Sequence, residues 1–309
     1  MGKNSYVGKY EKEGEKHMSQ KQKAYLLLTL TICIWGGVYV AGKVVLGTIP
    51  PITTLCARYV LSVLALFAVL GVTHRFQVIE KKDWKNLAII GVAGYFCSIL
   101  LQTYGMKFAN ASIASLINAM NPVAIILFAM PLLGERITLT KVVAVACSVG
   151  GAYAILGGTA GQDEMLGVLC SIVSVVIWSL VSILVRRMSV RYDPLVLTAY
   201  GIAIATVCIL PASVWELCTT DMQVQLQGSA VLGLLYMGLL GTALAHYLWN
   251  HSLSLIEAGR CSLFYPLQPL VATILGVAFL HEPLTINLVI GGVLIIGGIL
   301  VSVLGDMRH

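Results

Sequence analysis

The chain repeats part of itself. Residues 115–156 and 262–303 run in register, without a gap, 147 positions apart. Ser115 matches Ser262, Pro122 matches Pro269, Glu135 matches Glu282, Thr138 matches Thr285, and Gly150-Gly151 matches Gly297-Gly298. Nine of the 42 positions are identical. Shared Leu or Val would mean little in an apolar chain, but Pro, Glu and Gly held in register do not arise from composition. Any fold for this sequence must hold two copies of one unit.

Both copies lie in sequence that water cannot solvate. Of the 309 residues, 58% are hydrophobic and 11% charged, against about 25% charged in a soluble domain. Ten apolar runs can be cut out, at 24–46, 52–73, 86–106, 111–133, 142–160, 165–185, 194–215, 228–250, 261–280 and 284–305. Each approaches the ~20 helical residues that cross a bilayer core. The strict alternation of barrel strands is absent. The expected fold is an all-α integral membrane protein with ten transmembrane helices in two five-helix repeats, 24–160 and 165–305, joined by the loop GQDE. Five spans is an odd number, so the second repeat enters the membrane upside down, giving an inverted repeat. The first helices echo each other at an offset of 143, where Ile34-Trp35 matches Ile177-Trp178 and Lys43 matches Arg186.

Basic residues orient the chain. With the N-terminus inside, the inner segments hold 17 Lys and Arg while the outer loops hold only Lys107. That asymmetry places both termini in the cytoplasm. The net charge of +6 reports topology and contact with anionic lipid; nucleic acid is not an expected partner. Residues 1–23 form a polar cytoplasmic tail with the composition of a disordered segment, and translation could start at Met1 or Met18. The eight cysteines show no CxxC or Cys/His ligand spacing and read as small apolar fillers. No metal or cofactor is expected.

The elements IWGG at 34–37, Pro51 followed by Arg58, ANASIASLINAMNP…GERIT at 109–138, and EAGRCSLFYPLQP…LHEPLT at 257–285 carry a resemblance. The chain resembles the drug/metabolite transporter superfamily, specifically its ten-helix EamA-type members, over residues 24–305. The resemblance implies an inner-membrane carrier, most often an exporter of amino acids or other metabolites. It also implies a site built from the first, third, fourth, sixth, eighth and ninth helices.

The residues themselves suggest where cargo binds. Pro122 and Pro269 each remove a backbone donor within a span and permit a kink, which a membrane tolerates only where protein or a cavity satisfies the freed groups. An amide precedes each proline, Asn121 and Gln268, with Asn118 and Tyr265 one turn earlier. The i, i+3 spacing puts each pair on one helix face, so these four are expected to bind a polar substrate; the alternative is interhelical hydrogen bonding alone. Trp35, Tyr39 and Trp178 are the candidate walls, with core packing as their other reading. Lys43 and Arg58 are the fixed charges within the runs. Lys43 reads as snorkelling to the headgroups, and Arg58 as a structural cation or a magnet for a substrate carboxylate. His246 titrates near neutral pH when unperturbed, which leaves proton coupling or a satisfied hydrogen bond.

All fourteen acids fall outside the ten runs. Organic-cation/proton exchange requires an intramembrane carboxylate, so neutral, zwitterionic or anionic cargo is favoured. Glu135 and Glu282 are expected to cap or tie helix ends. Gly150-Gly151, Gly291-Gly292 and Gly297-Gly298 are expected to give small faces for helix contact, within the chain or in a homodimer. The expected function is a secondary transporter working by alternating access on a small molecule. A membrane-embedded enzyme would need paired acids, an HExxH helix or a Ser/His/Asp set, and none is written here. A non-transporting scaffold would be expected to carry a soluble domain.

Overall fold

A computed structural model describes residues 19–108, 117–118, 120–135, 138–156, 165–219, 228–280 and 286–307. The described residues are helical, with turns between. The elements are α1 (Gln20–Leu46), α2 (Pro51–Thr73), α3 (84–108), α4 (Asn121–Leu133), α5 (Leu139–Leu156), α6 (Met165–Met188), α7 (Pro194–Thr219), α8 (Gly228–Leu255), α9 (Ala258–Ser262, then Leu267–Leu280) and α10 (Ile286–Met307). Seven are long and apolar enough to cross a membrane: α1, α2, α3, α6, α7, α8 and α9. Shorter apolar helices at Asn121–Leu133, Leu139–Gly151 and Val289–Gly298 fall in the other three apolar runs.

Polarity is arranged inside out, as lipid demands. Leu64, Val72, Val207 and Phe279 are exposed, whereas Thr31, Ser62, Ser98, Asn250 and Ser252 are buried. The α1–α8 contact depends on missing side chains. A Cβ on Gly37 would lie 2.2 Å from the Tyr236 hydroxyl, one on Gly233 2.6 Å from Val45 Cγ2, and one on Gly241 2.5 Å from Val38 Cγ2. The paired glycines of α5 and α10 behave differently. Gly292 sits against Leu270 Cδ1, but a Cβ on Gly150 or Gly297 would meet nothing within 4 Å. At those two positions the expected close contact is not made among the described residues.

Helices α3 and α8 each contain a π-helical segment, Ile90–Ser98 and Tyr236–Leu244. The two segments lie 146 residues apart, one short of the sequence repeat. Widening a helix to i→i+5 bonding turns carbonyls outward, and π segments concentrate at functional sites. Here those carbonyls hold other helices. Trp35 Nε1 donates to Gly241 O at 3.0 Å, Ser62 Oγ to Gly238 O at 2.7 Å, and Ser174 Oγ to Ser98 O at 2.8 Å. The Tyr59 hydroxyl donates to Tyr95 O.

At the basic end of the bundle, connections far apart in sequence meet. Arg75 pairs with Asp193, Arg191 with Asp83 at 3.5 Å, and Lys141 with Glu257 at 2.9 Å. Gly134 stops α4 in the left-handed region, at φ 71°. The cost of that conformation is small only for glycine. The turn delivers Glu135 to the start of α9, where its carboxylate accepts from Ala258 N at 2.8 Å and Gly259 N at 3.0 Å. Glu135 therefore caps a helix of the other repeat, as the capping expectation asked. Its counterpart Glu282, with His281, Pro283 and Thr285, lies outside the described residues, as do residues 1–18 and the loop 161–164.

The loop reading of Glu216 is corrected. Glu216 lies inside α7, buried near its C-terminus, although hydropathy placed it in a loop. Its carboxylate accepts from Ile52 N at 3.2 Å and Thr53 N at 2.7 Å, capping α2 from another helix. Pro50-Pro51 opens α2 without a capping side chain of its own, so the cap comes from outside. Glu216→Ala is expected to cost about 0.5–2 kcal/mol, read as a lower melting temperature of the purified protein.

Candidate substrate site

The prolines do not kink continuous helices; they open new ones. Pro122 occupies the first turn of α4, with Asn121 as its first residue. In α9 the helix breaks at 263–266 and resumes at Leu267, two residues before Pro269. Proline lacks the N–H that a first turn leaves unused, so it is tolerated there. Tight i→i−3 bonds satisfy the breaks, including Met120 N to Ile117 O at 3.0 Å and Tyr265 N to Ser262 O at 3.0 Å. The four polar residues therefore sit at interruptions in α4 and α9.

Those interruptions border a buried cavity of about 50 Å³, measured as the space open to the centre of a water molecule. That exceeds the ~10–15 Å³ that a single water needs on the same measure. Asn121 comes from the start of α4 and Asn118 from three residues before it, Tyr265 and Gln268 from α9, Trp35 and Tyr39 from α1, and Trp178 from α6. Arg58 of α2 and His246 of α8 line it as well. Lys43 does not; it is exposed near the end of α1. Sequence reasoning missed Ser98, Gln102 and Ser174. Gln102 carried a usable signal, an amide within an apolar run, while the two serines did not differ from ordinary helix-packing residues.

Six rings from five helices form the aromatic side of the site. Trp35 stacks on Tyr265 at a centroid distance of 5.8 Å and meets Trp178, His246 and Trp249 at 6.3, 5.2 and 5.7 Å. Tyr95 closes the cluster against Trp178 and His246 at 5.9 and 5.2 Å. Each such pair contributes about 0.5–1.5 kcal/mol beyond area burial. His246 Nδ1 lies 2.9 Å from Thr242 O, which supports the satisfied-hydrogen-bond reading.

The polar side divides into committed and uncommitted groups. Asn121 is committed. Its Nδ2 donates to Asn118 O at 2.8 Å and its Oδ1 accepts from Ser179 Oγ at 3.4 Å. Asn118 Nδ2 donates to the Tyr39 hydroxyl at 3.3 Å, and Trp178 Nε1 donates to the Tyr265 hydroxyl. The Gln268 side chain is 5% exposed and makes no hydrogen bond within the described protein.

A second, larger cavity of about 900 Å³ opens at the basic end, lined by Asp83, Arg187, Arg191, Glu257 and their neighbours. Its charged groups bond largely to protein, as Arg191 does to Asp83 and Arg187 does to Leu132 O. Burial pushes the Glu257 carboxyl up, but Lys141 and Arg260 outweigh it and hold it below the ordinary glutamate value.

A lipid-facing helical bundle with broken helices around a polar and aromatic cavity defines a membrane transporter. The chain belongs to the EamA-like transporter family, which matches residues 22–157 and 165–304. Uncharacterized transporter YoaV of Bacillus subtilis (strain 168) is 26% identical over 279 residues, covering 89% of this chain and 94% of that protein. A protein of Streptantibioticus cattleyicolor named "Probable terminal-alkyne amino-acid exporter" is 25% identical, covering 90% and 92%. A solved crystal structure matches the fold with a TM-score of 0.77 at 23% identity, covering 92% of this chain and 98% of that one.

Proposed function

We propose that this protein is an inner-membrane secondary transporter exporting amino acids or related small neutral or zwitterionic metabolites by alternating access. One observation carries the reading. Side chains related by the duplication, Trp35 with Trp178, Asn118 with Tyr265, and Asn121 with Gln268, converge on one buried cavity. The proposed architecture is ten transmembrane helices in two inverted repeats, 24–160 and 165–305, with both termini in the cytoplasm. Glu135 at the end of α4 meeting the start of α9 supports this, because α4 and α9 are repeat mates and run in opposite directions there. The amino-acid exporter among the relatives supports the cargo class.

The test is an untargeted comparison of metabolites in medium and cytosol, with and without expression. Protein-dependent appearance of amino-acid-like compounds outside is the expected result; no change in any compound ends the reading. Gln268→Ala should lower export of such a compound about fivefold, the loss of a hydrogen bond of about 1 kcal/mol, at unchanged membrane abundance. Normal export by that variant would remove Gln268 from the site.

A further inference from the structure

Arg58 is a buried cation facing the cavity. It is 6% exposed, and no carboxylate among the described residues pairs with it. None of the described residues lining the cavity is Asp or Glu. The guanidinium is fixed by one neutral group, with Nε and Nη2 donating to Thr242 Oγ1 at 3.3 and 3.1 Å. Thr242 Oγ1 in turn donates to Met237 O at 2.7 Å, within the π segment of α8. Thr242 engages the side edge of the guanidinium, and among the described residues no hydrogen bond takes up its end edge, Nη1 and the second N–H of Nη2. That planar edge matches the two oxygens of a carboxylate.

A lone charge inside a membrane is costly to keep and is retained where function uses it. In the same cavity Gln268 offers an amide with no hydrogen-bond partner among the described residues, and the ring cluster offers an apolar wall. We infer that Arg58 binds the carboxylate of the cargo through its end edge, with Gln268 as the second polar contact. Trp35, Trp178 and Tyr265 then hold an apolar or aromatic arm. The cargo class narrows to small carboxylic acids with such an arm; an amino group is optional, and amines lacking the acid are rejected. This rests on the proposed reading of the cavity as the substrate site.

The experiment follows thermal stability of the purified full-length protein with four probes: L-phenylalanine, 3-phenylpropionate, L-phenylalaninamide and phenethylamine. A ligand that binds only the folded state raises the melting temperature. The two acids should stabilise the protein and the two compounds without a carboxylate should not, a comparison that needs no variant. Arg58→Met should weaken acid binding about 10- to 100-fold, the range of a hydrogen bond to a charged group. Gln268→Glu, which places a carboxylate opposite Arg58, should abolish it. Stabilisation by the amines equal to that by the acids, unchanged acid binding in a folded Arg58→Met protein, or no response to either acid overturns the inference. Its failure is separable from that of the broader reading, because export of non-acidic metabolites would leave a transporter standing and remove the carboxylate site.

Discussion

Glu135→Ala is expected to destabilise the protein by about 3 kcal/mol, mostly at the basic end. Its carboxylate takes two backbone N–H groups of α9 and lies 3.9 Å from the Lys141 ammonium, with side chains 10% and 6% exposed. Hydrogen bonds to a charged group contribute about 1.5–3 kcal/mol each, and orphaned buried donors add the cost of their lost hydration. Lys141 keeps Glu257, so the damage stays below that of stranding a charge outright. Glu135→Gln can still accept one of the two bonds and should lose about half as much. In an alternating-access cycle this contact joins the two repeats at one end, so weakening it also favours the conformation open there. The measurement is a thermal melt together with labelling of a cysteine introduced at Thr138, which lines the basic cavity; faster labelling in Glu135→Gln is the expected sign. Acid acts in the same direction. Because Glu257 is held below its ordinary value, its contribution is complete above the normal glutamate range and is lost as pH falls through the depressed folded value. Equal melting of all three proteins would show that this cluster does not hold the end together.

Gly36→Val and Gly150→Ala should act with opposite signs. A Cβ on Gly36 would lie 2.6 and 2.7 Å from Val271 Cγ1 and Cβ and 3.3 Å from the Ala272 backbone nitrogen. Valine adds two methyl groups to that clash, and the facing backbone of α9 cannot retreat like a side-chain tip. Overpacking of this kind costs about 1–3 kcal/mol and sometimes more. Trp35 is the next residue, so α1 moving off α9 pulls its ring from Tyr265 and disassembles the aromatic wall. Loss of transport together with reduced membrane abundance is expected. Gly150 faces open space, and alanine there removes the entropy cost of glycine in a helix, a gain of about 0.5–1 kcal/mol. Gly150→Ala melting below the parent would mean that this face is covered, as a homodimer would cover it. A normally folded and active Gly36→Val protein would refute the close α1–α9 approach.

Hydropathy alone determined that the chain lives in lipid and marked the apolar runs in which the described helices fall, because burying a helix in hydrocarbon is set by local composition. The in-register Pro, Glu and Gly determined that the chain carries two copies of one unit, and the same residues pointed to Asn118, Asn121, Tyr265 and Gln268. Their geometry was less accessible. Whether Pro122 kinks a helix or starts one depends on what satisfies Met120 and Ile117, and that is a matter of three-dimensional packing. Glu216 was placed in a loop because hydropathy ends where charge begins, while the backbone continues the helix when another helix supplies the partner.

The ring cluster shows the remaining limit. In water, a helix advertises its buried face by alternating with polar residues, but in lipid both faces are apolar and that contrast fades. Nothing local marks Trp249 or Tyr95 as neighbours of Trp35 and Trp178, and nothing in a run of Ile, Gly and Val announces that α3 and α8 widen into π segments. Nor does position within α2 say whether Arg58 reaches headgroups or a cavity. Those outcomes belong to long-range contacts, in which the carbonyl of Gly241 finds Trp35 and the hydroxyl of Thr242 finds Arg58. Sequence settled the membrane and the duplication; only the assembled bundle settled which side chains share the pocket.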